Sequence, residues 1–278
     1  MRYIFVSDIH GRYDKLQAAL QAVNFDEKVD TIVSVGDPFD RGPQSYEVLK
    51  FLLGCPNRIL IWGNHDLDLY DLMRGHEWVQ GRHYQNGVLE TFKSFTKMPD
   101  LSSINTGIQL LRTDAHYVCF KLINQYFREC CFAVEFADLV ATHGWVPVAI
   151  DSKISYPAYK NGNRLTYYIY KHREDWRNAD FADWVDATWS DSQTFFEQKV
   201  FLPDKKLLIG HWHAWRLRLA MAQSSIIYKT FDDIDFSTLE YEDKLVAIDG
   251  CSNVDRGVVN AYVYESDDEP RKFFCNRQ

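Results

Sequence analysis

Ile32-Val33-Ser34-Val35-Gly36-Asp37-Pro38-Phe39-Asp40-Arg41-Gly42 is an apolar run that passes without pause into two carboxylates, an arginine and a glycine. The β-branched residues predict a buried strand. The polar tip brings together groups that hold metals, move protons and bind anions. A single Asp after a strand is ordinarily a turn residue or a helix cap. Here the unit recurs, and the recurrence carries the reading.

Upstream, residues 3–6 form a second short strand that ends at Ser7-Asp8-Ile9-His10-Gly11. If the extended backbone continues to His10, alternation places Asp8 and His10 on one side, ready to chelate. Leu16, Ala19, Leu20 and Val23 follow helical spacing, so a strand, helix, strand unit is expected. Downstream, residues 44–53 read as a helix stopped by Gly54, with Tyr46, Leu49, Leu52 and Leu53 on one side. Residues 58–62 form a third strand, ending at Gly63-Asn64-His65-Asp66. This alternation predicts an α/β sheet with largely parallel strands, whose carboxyl ends carry the site.

Residues 67–130 lack strand tips and read as a helical insert within one domain spanning 1–278. Leu89, Phe92 and Phe95 mark one expected core face, and Val118, Leu122 and Tyr126 another. His76, His83 and His116 lie there without partners at ligand spacing and are expected to be surface or hydrogen-bonded residues. A hairpin is expected over 131–142, ending at His143-Gly144-Trp145. The aromatic, charged stretch 151–198 has a turn signal at Asn161-Gly162-Asn163 and a helix over 181–189. Residues 206–210 deliver His211-Trp212-His213. The remainder is β-rich, with strands over 225–230, 245–249 and 258–265 and an acidic loop over 232–241. No repeat or linker marks a domain boundary.

The chain has 278 residues, 46% hydrophobic, which is ample for a large core. Its net charge of −8 argues against general nucleic-acid binding. The six cysteines form no CxxC pair and read as reduced thiols. No apolar run approaches membrane-spanning length and the first strand begins almost at once, so a soluble, cytoplasmic protein is expected.

The strand-tip residues Asp8, His10, Asp37, Asn64, His143 and His211 offer oxygen and imidazole donors without thiolate. That set suits manganese, iron or zinc at a reactive site better than a structural zinc cluster. Six donors exceed what one such ion takes while keeping a reactive water. Two divalent metal ions sharing the central Asp37 fit them, with solvent positions left open.

Together, Asp8-Ile9-His10-Gly11, Gly36-Asp37 through Asp40-Arg41-Gly42, Gly63-Asn64-His65-Asp66, His143-Gly144 and Gly210-His211 resemble the ordered signature of the calcineurin-like metallophosphoesterases. Asp40-Arg41-Gly42 narrows the resemblance to the phosphoprotein phosphatase branch, which includes serine/threonine phosphatases, bacteriophage-type phosphatases and symmetrical diadenosine tetraphosphate hydrolases. The resemblance implies a four-layer α/β/β/α sandwich and two divalent ions, manganese first and iron or zinc otherwise. Asp8 and His10 would bind the first ion, Asp37 would bridge, and Asn64, His143 and His211 would bind the second. His65 matches the proton donor, Asp40 its orienting carboxylate, and Arg41, with Asn64, a phosphate contact. His213 is a further candidate ligand, because Gly-His-x-His endings in the broader family bind the first metal. The second phosphate-binding arginine has no matching motif; Arg164, Arg173 and Arg177 lie in the right region. Asp66 stands where many members of the branch have Glu.

The expected activity is direct in-line phosphoester hydrolysis by a serine/threonine-type protein phosphatase, acting on phosphoproteins or small phosphoesters. Hydrolysis of dinucleoside polyphosphates is the alternative, with Trp145, Trp212, Trp215 and Tyr84 as candidate base-stacking residues. A phosphodiesterase stands behind it.

Overall fold

The computed structural model describes residues 1–157, 164–221 and 233–274, with backbone alone at 155–157 and 164–165. The first half of the chain runs β1 (Arg2–Val6), α1 (Tyr13–Ala22), β2 (Thr31–Val35), α2 (Ser45–Gly54) and β3 (Arg58–Ile61). Next come α3 (Asn64–Arg74), α4 (Gly81–Gln85), α5 (Val88–Thr96), α6 (Ile104–Leu111) and α7 (Tyr117–Glu129). Strands β4 (Cys130–Cys131), β5 (Ala133–Glu135), β6 (Leu139–Thr142), β7 (Val148–Pro157) and β8 (Arg164–His172) follow, then α8 (Phe181–Thr188) and α9 (Ser192–Glu197). The chain closes with β9 (Lys206–Ile209), α10 (Ala214–Met221), β10 (Leu239–Tyr241), β11 (Leu245–Ala247), β12 (Ala261–Glu265) and β13 (Arg271–Phe273).

One sheet has the order β12-β1-β2-β3-β4 and the other β10-β11-β9-β6-β5-β13. Strands β1 to β4 are mutually parallel, as are β6, β9 and β11. Side-chain alternation builds the layers. Tyr3, Phe5, Val33, Val35, Ile59 and Ile61 face the second sheet, where they meet Val134, Leu139, Ala141, Leu208 and Val246. Ile4, Val6, Ile32 and Leu60 point the other way, into a core with Leu16, Val48, Leu52, Phe92 and Tyr126. Val140, Leu207, Ile209 and Leu245 face outward from the second sheet, onto Trp145, Trp184, Phe195 and Leu217. The result is the expected helix, sheet, sheet, helix stack. Both faces of each sheet are covered, which is why its strands read as continuous apolar runs.

The insert packs against the first sheet through Phe92, Phe95, Ile104, Ile123 and Tyr126, in the same core as β1 and α1. One stripe is off register: in α7 the buried residues are Cys119, Ile123, Tyr126 and Phe127, and Val118 is 68% exposed. A second difference is the β7–β8 hairpin, a separate two-stranded antiparallel sheet inside the stretch read only as aromatic and charged. Its mixed charged and aromatic residues hide a period-two pattern, because neither face is fully buried. The expected turn at 161–163, the strand over 225–230 and Cys275 lie outside the described residues. Cys55, Cys119, Cys130, Cys131 and Cys251 are buried free thiols. Among the described residues no helix is long and apolar enough to cross a membrane.

Candidate active site and metal centre

The parallel strands all end at one edge of the sandwich, and there the backbone abandons extended geometry. Asp8, His10, Asp37, Asp40, Arg41 and His211 have φ of 50°, 48°, 54°, 67°, 63° and 58°. Non-glycine residues in this left-handed region carry strain of about 1 kcal/mol or more each, and such strain gathers at functional sites. Asp8 and His10 therefore reach the site through a turn; alternation along a continuing strand does not apply, since β1 stops at Val6. The turn is held by Asp8 N–H donating to Gly36 O (3.1 Å), His10 N–H to Asp37 O (3.1 Å) and Gly11 N–H to Pro38 O (2.9 Å). Two glycines let the tips close up. A Cβ on Gly63 would stand 2.1 Å from Asp37 Oδ1, and one on Gly210 would stand 1.9 Å from Ser7 Oγ.

A cavity of about 290 Å³ at this edge is bordered by Asp8, His10, Asp37, Asn64, His65 and His211 among others. His10 Nδ1 lies 2.9 Å from Phe39 O, and His143 Nδ1 lies 2.8 Å from Val35 O. A carbonyl can only accept, so each Nδ1 carries a proton and each Nε2 turns toward the site. Ligand atoms of His10, Asp37 and His65 lie within 4.8 Å of one another, as do those of Asp37, His143 and His211. Asp37 belongs to both groups. Asn64 Oδ1 is 2.9 Å from His143 Nε2, and Asp8 Oδ1 is 3.9 Å from His10 Nε2.

His65 sits at the start of α3, with its backbone N–H donating to Asp37 Oδ1 (3.0 Å). Its Nδ1 pairs with Asp40 Oδ2 at 2.8 Å, and Asp40 is fixed in turn by Thr91, whose hydroxyl donates to Oδ1 at 2.7 Å. Nε2 faces Arg41 Nη2 at 3.2 Å. Burial alone would lower the His65 pKa, but Asp37 and Asp40 outweigh it and the net shift is upward.

The electrostatics describe a site built for cations. Asp8, Asp37, Asp66 and Asp249 are all buried. Burial and repulsion from Asp249 and Asp37 push Asp8 up to about 7, and burial with repulsion from Asp37 pushes Asp66 up to about 8. His143 goes to about 10: burial opposes its charge, but Asp37 prevails. Its Nε2 lies 2.9 Å from Asn64 Oδ1 and 3.4 Å from Asp37 Oδ2, the same oxygens a cation would take. Oxygen and imidazole donors in this number fit a pair of divalent first-row ions. Cation binding must therefore displace protons. Apparent metal affinity is expected to rise between about pH 6 and about pH 8 as Asp8 sheds its proton, with the His143 proton still to be displaced. Titration calorimetry in buffers of different ionisation enthalpy should register more than one proton released.

Several residues in the site were not legible in the sequence. Arg216, Asn86, Trp189 and Asp249 all border the cavity. Arg216 lies on α10 with its guanidinium 5.3 Å and 5.1 Å from the rings of Trp212 and Trp215. Arg173 is instead paired with Asp183 at 2.6 Å, Arg177 with Glu135, and the side chain of Arg164 lies outside the described residues. Asp66 accepts from Asp37 N (3.1 Å) and Gly63 N (2.9 Å), which ties the second and third strand tips together. Its Gly-x-x-Asp spacing at a helix start was the available signal. His213 borders the cavity, yet its Nδ1 is 2.7 Å from Asp249 Oδ2 and its Nε2 is 3.5 Å from Cys251 Sγ. Trp145 is fully buried with Nε1–H donating to Val200 O, so it is a core residue and out of reach of a substrate. His76 and His116 are hydrogen-bonded at the surface; His83 is completely buried, its Nδ1 accepting from Gln80 N–H.

Strand ends of two facing sheets that gather carboxylates and imidazoles around one shared Asp, with an Asp-held histidine and an arginine alongside, define a metal-dependent hydrolase. The chain belongs to the calcineurin-like phosphoesterase family, whose model matches residues 1–215. A symmetrical bis(5'-nucleosyl)-tetraphosphatase of Hamiltonella defensa is 32% identical over 236 residues, covering 77% of this chain and 84% of that protein. The enzyme of the same name from Baumannia cicadellinicola is 43% identical over 76 residues, and the match spans 27% of this chain and 26% of that protein. Serine/threonine-protein phosphatase 2 of Escherichia coli is 42% identical over 82 residues, which is 28% of this chain and 37% of that protein. In fold, the chain superposes on a cold-active protein tyrosine phosphatase with a TM-score of 0.50 at 15% identity, covering 98% of this chain and 78% of that one.

Proposed function

We propose that the chain hydrolyses dinucleoside polyphosphates symmetrically, with Asp8, His10, Asp37, Asn64, His143 and His211 holding two divalent cations, manganese first. When bound, such a pair neutralises phosphoryl oxygens and acidifies a water toward neutrality. The observation that carries the reading is a pair of arginines. Arg41 and Arg216 both border the cavity, and neither has a carboxylate partner among the described residues. Each guanidinium can take phosphate oxygens bidentately, so the two together can hold neighbouring groups of a polyphosphate chain. His65, with Nδ1 held by Asp40, presents Nε2 to the leaving oxygen as a proton donor. The relative matched over most of its length is named for the same chemistry. This reading takes precedence over the phosphoprotein substrate expected from the sequence. The protein phosphatase reading keeps one support, the 82-residue segment shared with serine/threonine-protein phosphatase 2.

The test is a panel. Manganese-loaded protein is offered diadenosine tetraphosphate, a phosphoserine peptide, p-nitrophenyl phosphate and its bis-ester. Formation of adenosine diphosphate with a kcat/KM well above that for the peptide is expected; the reverse order would replace this reading with the second. Arg216→Ala should raise KM for the tetraphosphate about tenfold, the worth of a charged hydrogen bond. Arg216→Lys should rescue little, since lysine cannot offer a planar fork against the rings of Trp212 and Trp215.

A further inference from the structure

Trp189 is the wall between the catalytic cavity and a larger neighbour. That second cavity, of about 460 Å³, lies between the β7–β8 hairpin and helices α8 and α9, and the Trp189 side chain borders both. Its volume is in the range of small-ligand sites, about 300–1,000 Å³. The linings of the two cavities are tied together where Trp212 Nε1–H donates to Ser190 O at 2.9 Å. Trp189 is 43% exposed, leaving its ring open to contact.

Charge divides the two spaces. The catalytic cavity presents Arg41 and Arg216 beside Asp8, Asp37 and Asp249, whereas the second presents Asp183, Asp186 and Asp191 and, among the described residues, no lysine or arginine. Arg173 neutralises Asp183 (2.6 Å), and Asp191 is occupied in capping α9 through Thr194 N–H (3.2 Å). Asp186 is exposed and has no side-chain partner among the described residues. Arginines favour phosphates on the one side and carboxylates disfavour them on the other. An uncharged group with an aromatic face and hydrogen-bond donors suits a lining that includes Trp189, Ile150, Tyr170 and Asp186.

We infer that the second cavity receives a nucleoside of the substrate, its base against Trp189 and its ribose hydroxyls donating to Asp186. The inference rests on the dinucleoside polyphosphate reading and makes Trp189 and Asp186 the residues that set specificity. Base stacking on an aromatic side chain is worth a factor of about ten or more. For the manganese-loaded full chain, the ratio of kcat/KM for diadenosine tetraphosphate to that for p-nitrophenyl phosphate should fall about tenfold in Trp189→Ala and in Asp186→Asn. Trp189→Phe should keep most of the parent ratio, whereas a merely structural loss at either position would lower both substrates alike and leave the ratio unchanged. Calorimetry with adenosine diphosphate on metal-free protein should show weaker binding to both variants. Unchanged ratios in both, or no binding of adenosine diphosphate to the parent chain, would overturn the inference. A loss in Asp186→Asn confined to phosphopeptides with basic residues would give the cavity to a peptide and overturn it too. Failure of the parent to cleave the tetraphosphate while still hydrolysing p-nitrophenyl phosphate would count against the proposed function, and the nucleotide-binding comparison would then decide this inference by itself.

Discussion

Asp37→Asn is expected to leave a folded protein that retains almost no metal and loses turnover by roughly a thousandfold or more. The variant is nearly isosteric, and Asn tolerates the left-handed φ of 54° that Asp37 adopts. Asn Oδ1 can still accept the His65 N–H that now reaches Asp37 Oδ1 at 3.0 Å. What disappears is the one negative charge common to both groups of potential ligands. Metal analysis after dialysis, beside circular dichroism, separates loss of the centre from loss of the fold. Two cations per chain in Asp37→Asn would remove the shared carboxylate from the account.

The second large effect concerns the proton. His65→Asn should retain metal and lose about 10²- to 10⁴-fold in turnover of esters with basic leaving groups. For p-nitrophenyl phosphate, whose leaving group needs no proton, the loss should be far smaller. Diadenosine tetraphosphate, which expels adenosine diphosphate through a weakly basic phosphate oxygen, should behave much as p-nitrophenyl phosphate does. A series of monoesters plotted against leaving-group pKa is expected to be shallow for the parent and steep for the variant; parallel lines would take the acid role from His65. Asp40 acts through His65. Its carboxylate helps raise the imidazole pKa against the effect of burial, so the protonated donor persists to higher pH. In Asp40→Asn the falling alkaline limb of the rate profile should move to lower pH.

The alternation of strand and helix, the polar tips at strand ends and the run of helices between β3 and β4 were legible because each is written locally. Apolar periodicity marks Leu16 and Leu20 or Val33 and Val35, and Gly63 or Gly210 stands where the backbone must approach a neighbouring carboxylate or hydroxyl closely. Asp8, His10 and Asp37 could be named as ligand candidates, but the reasoning for the first two used strand alternation where the chain turns with positive φ. The structure does bring both residues to the cavity, but by a turn and not by alternation, since spacing cannot report the sign of a dihedral. Val118 shows the same limit in α7: a three- or four-residue step fits two neighbouring stripes, and only packing selected Cys119 and Ile123 over Val118 and Leu122, with Tyr126 buried as expected.

By itself, then, the sequence determined the fold class and the residue types offered at the strand tips, because both are written in short contiguous motifs. Tertiary structure alone decided which distant groups complete the site. It brought Arg216 and Asp249 to the cavity, kept Arg173 and Arg177 away in ion pairs, turned His213 toward Asp249 and placed Trp189 between two spaces. These residues belong to elements whose local pattern is consistent with many orientations. Only the docking of α8, α9 and α10 on the second sheet fixes which way each side chain faces.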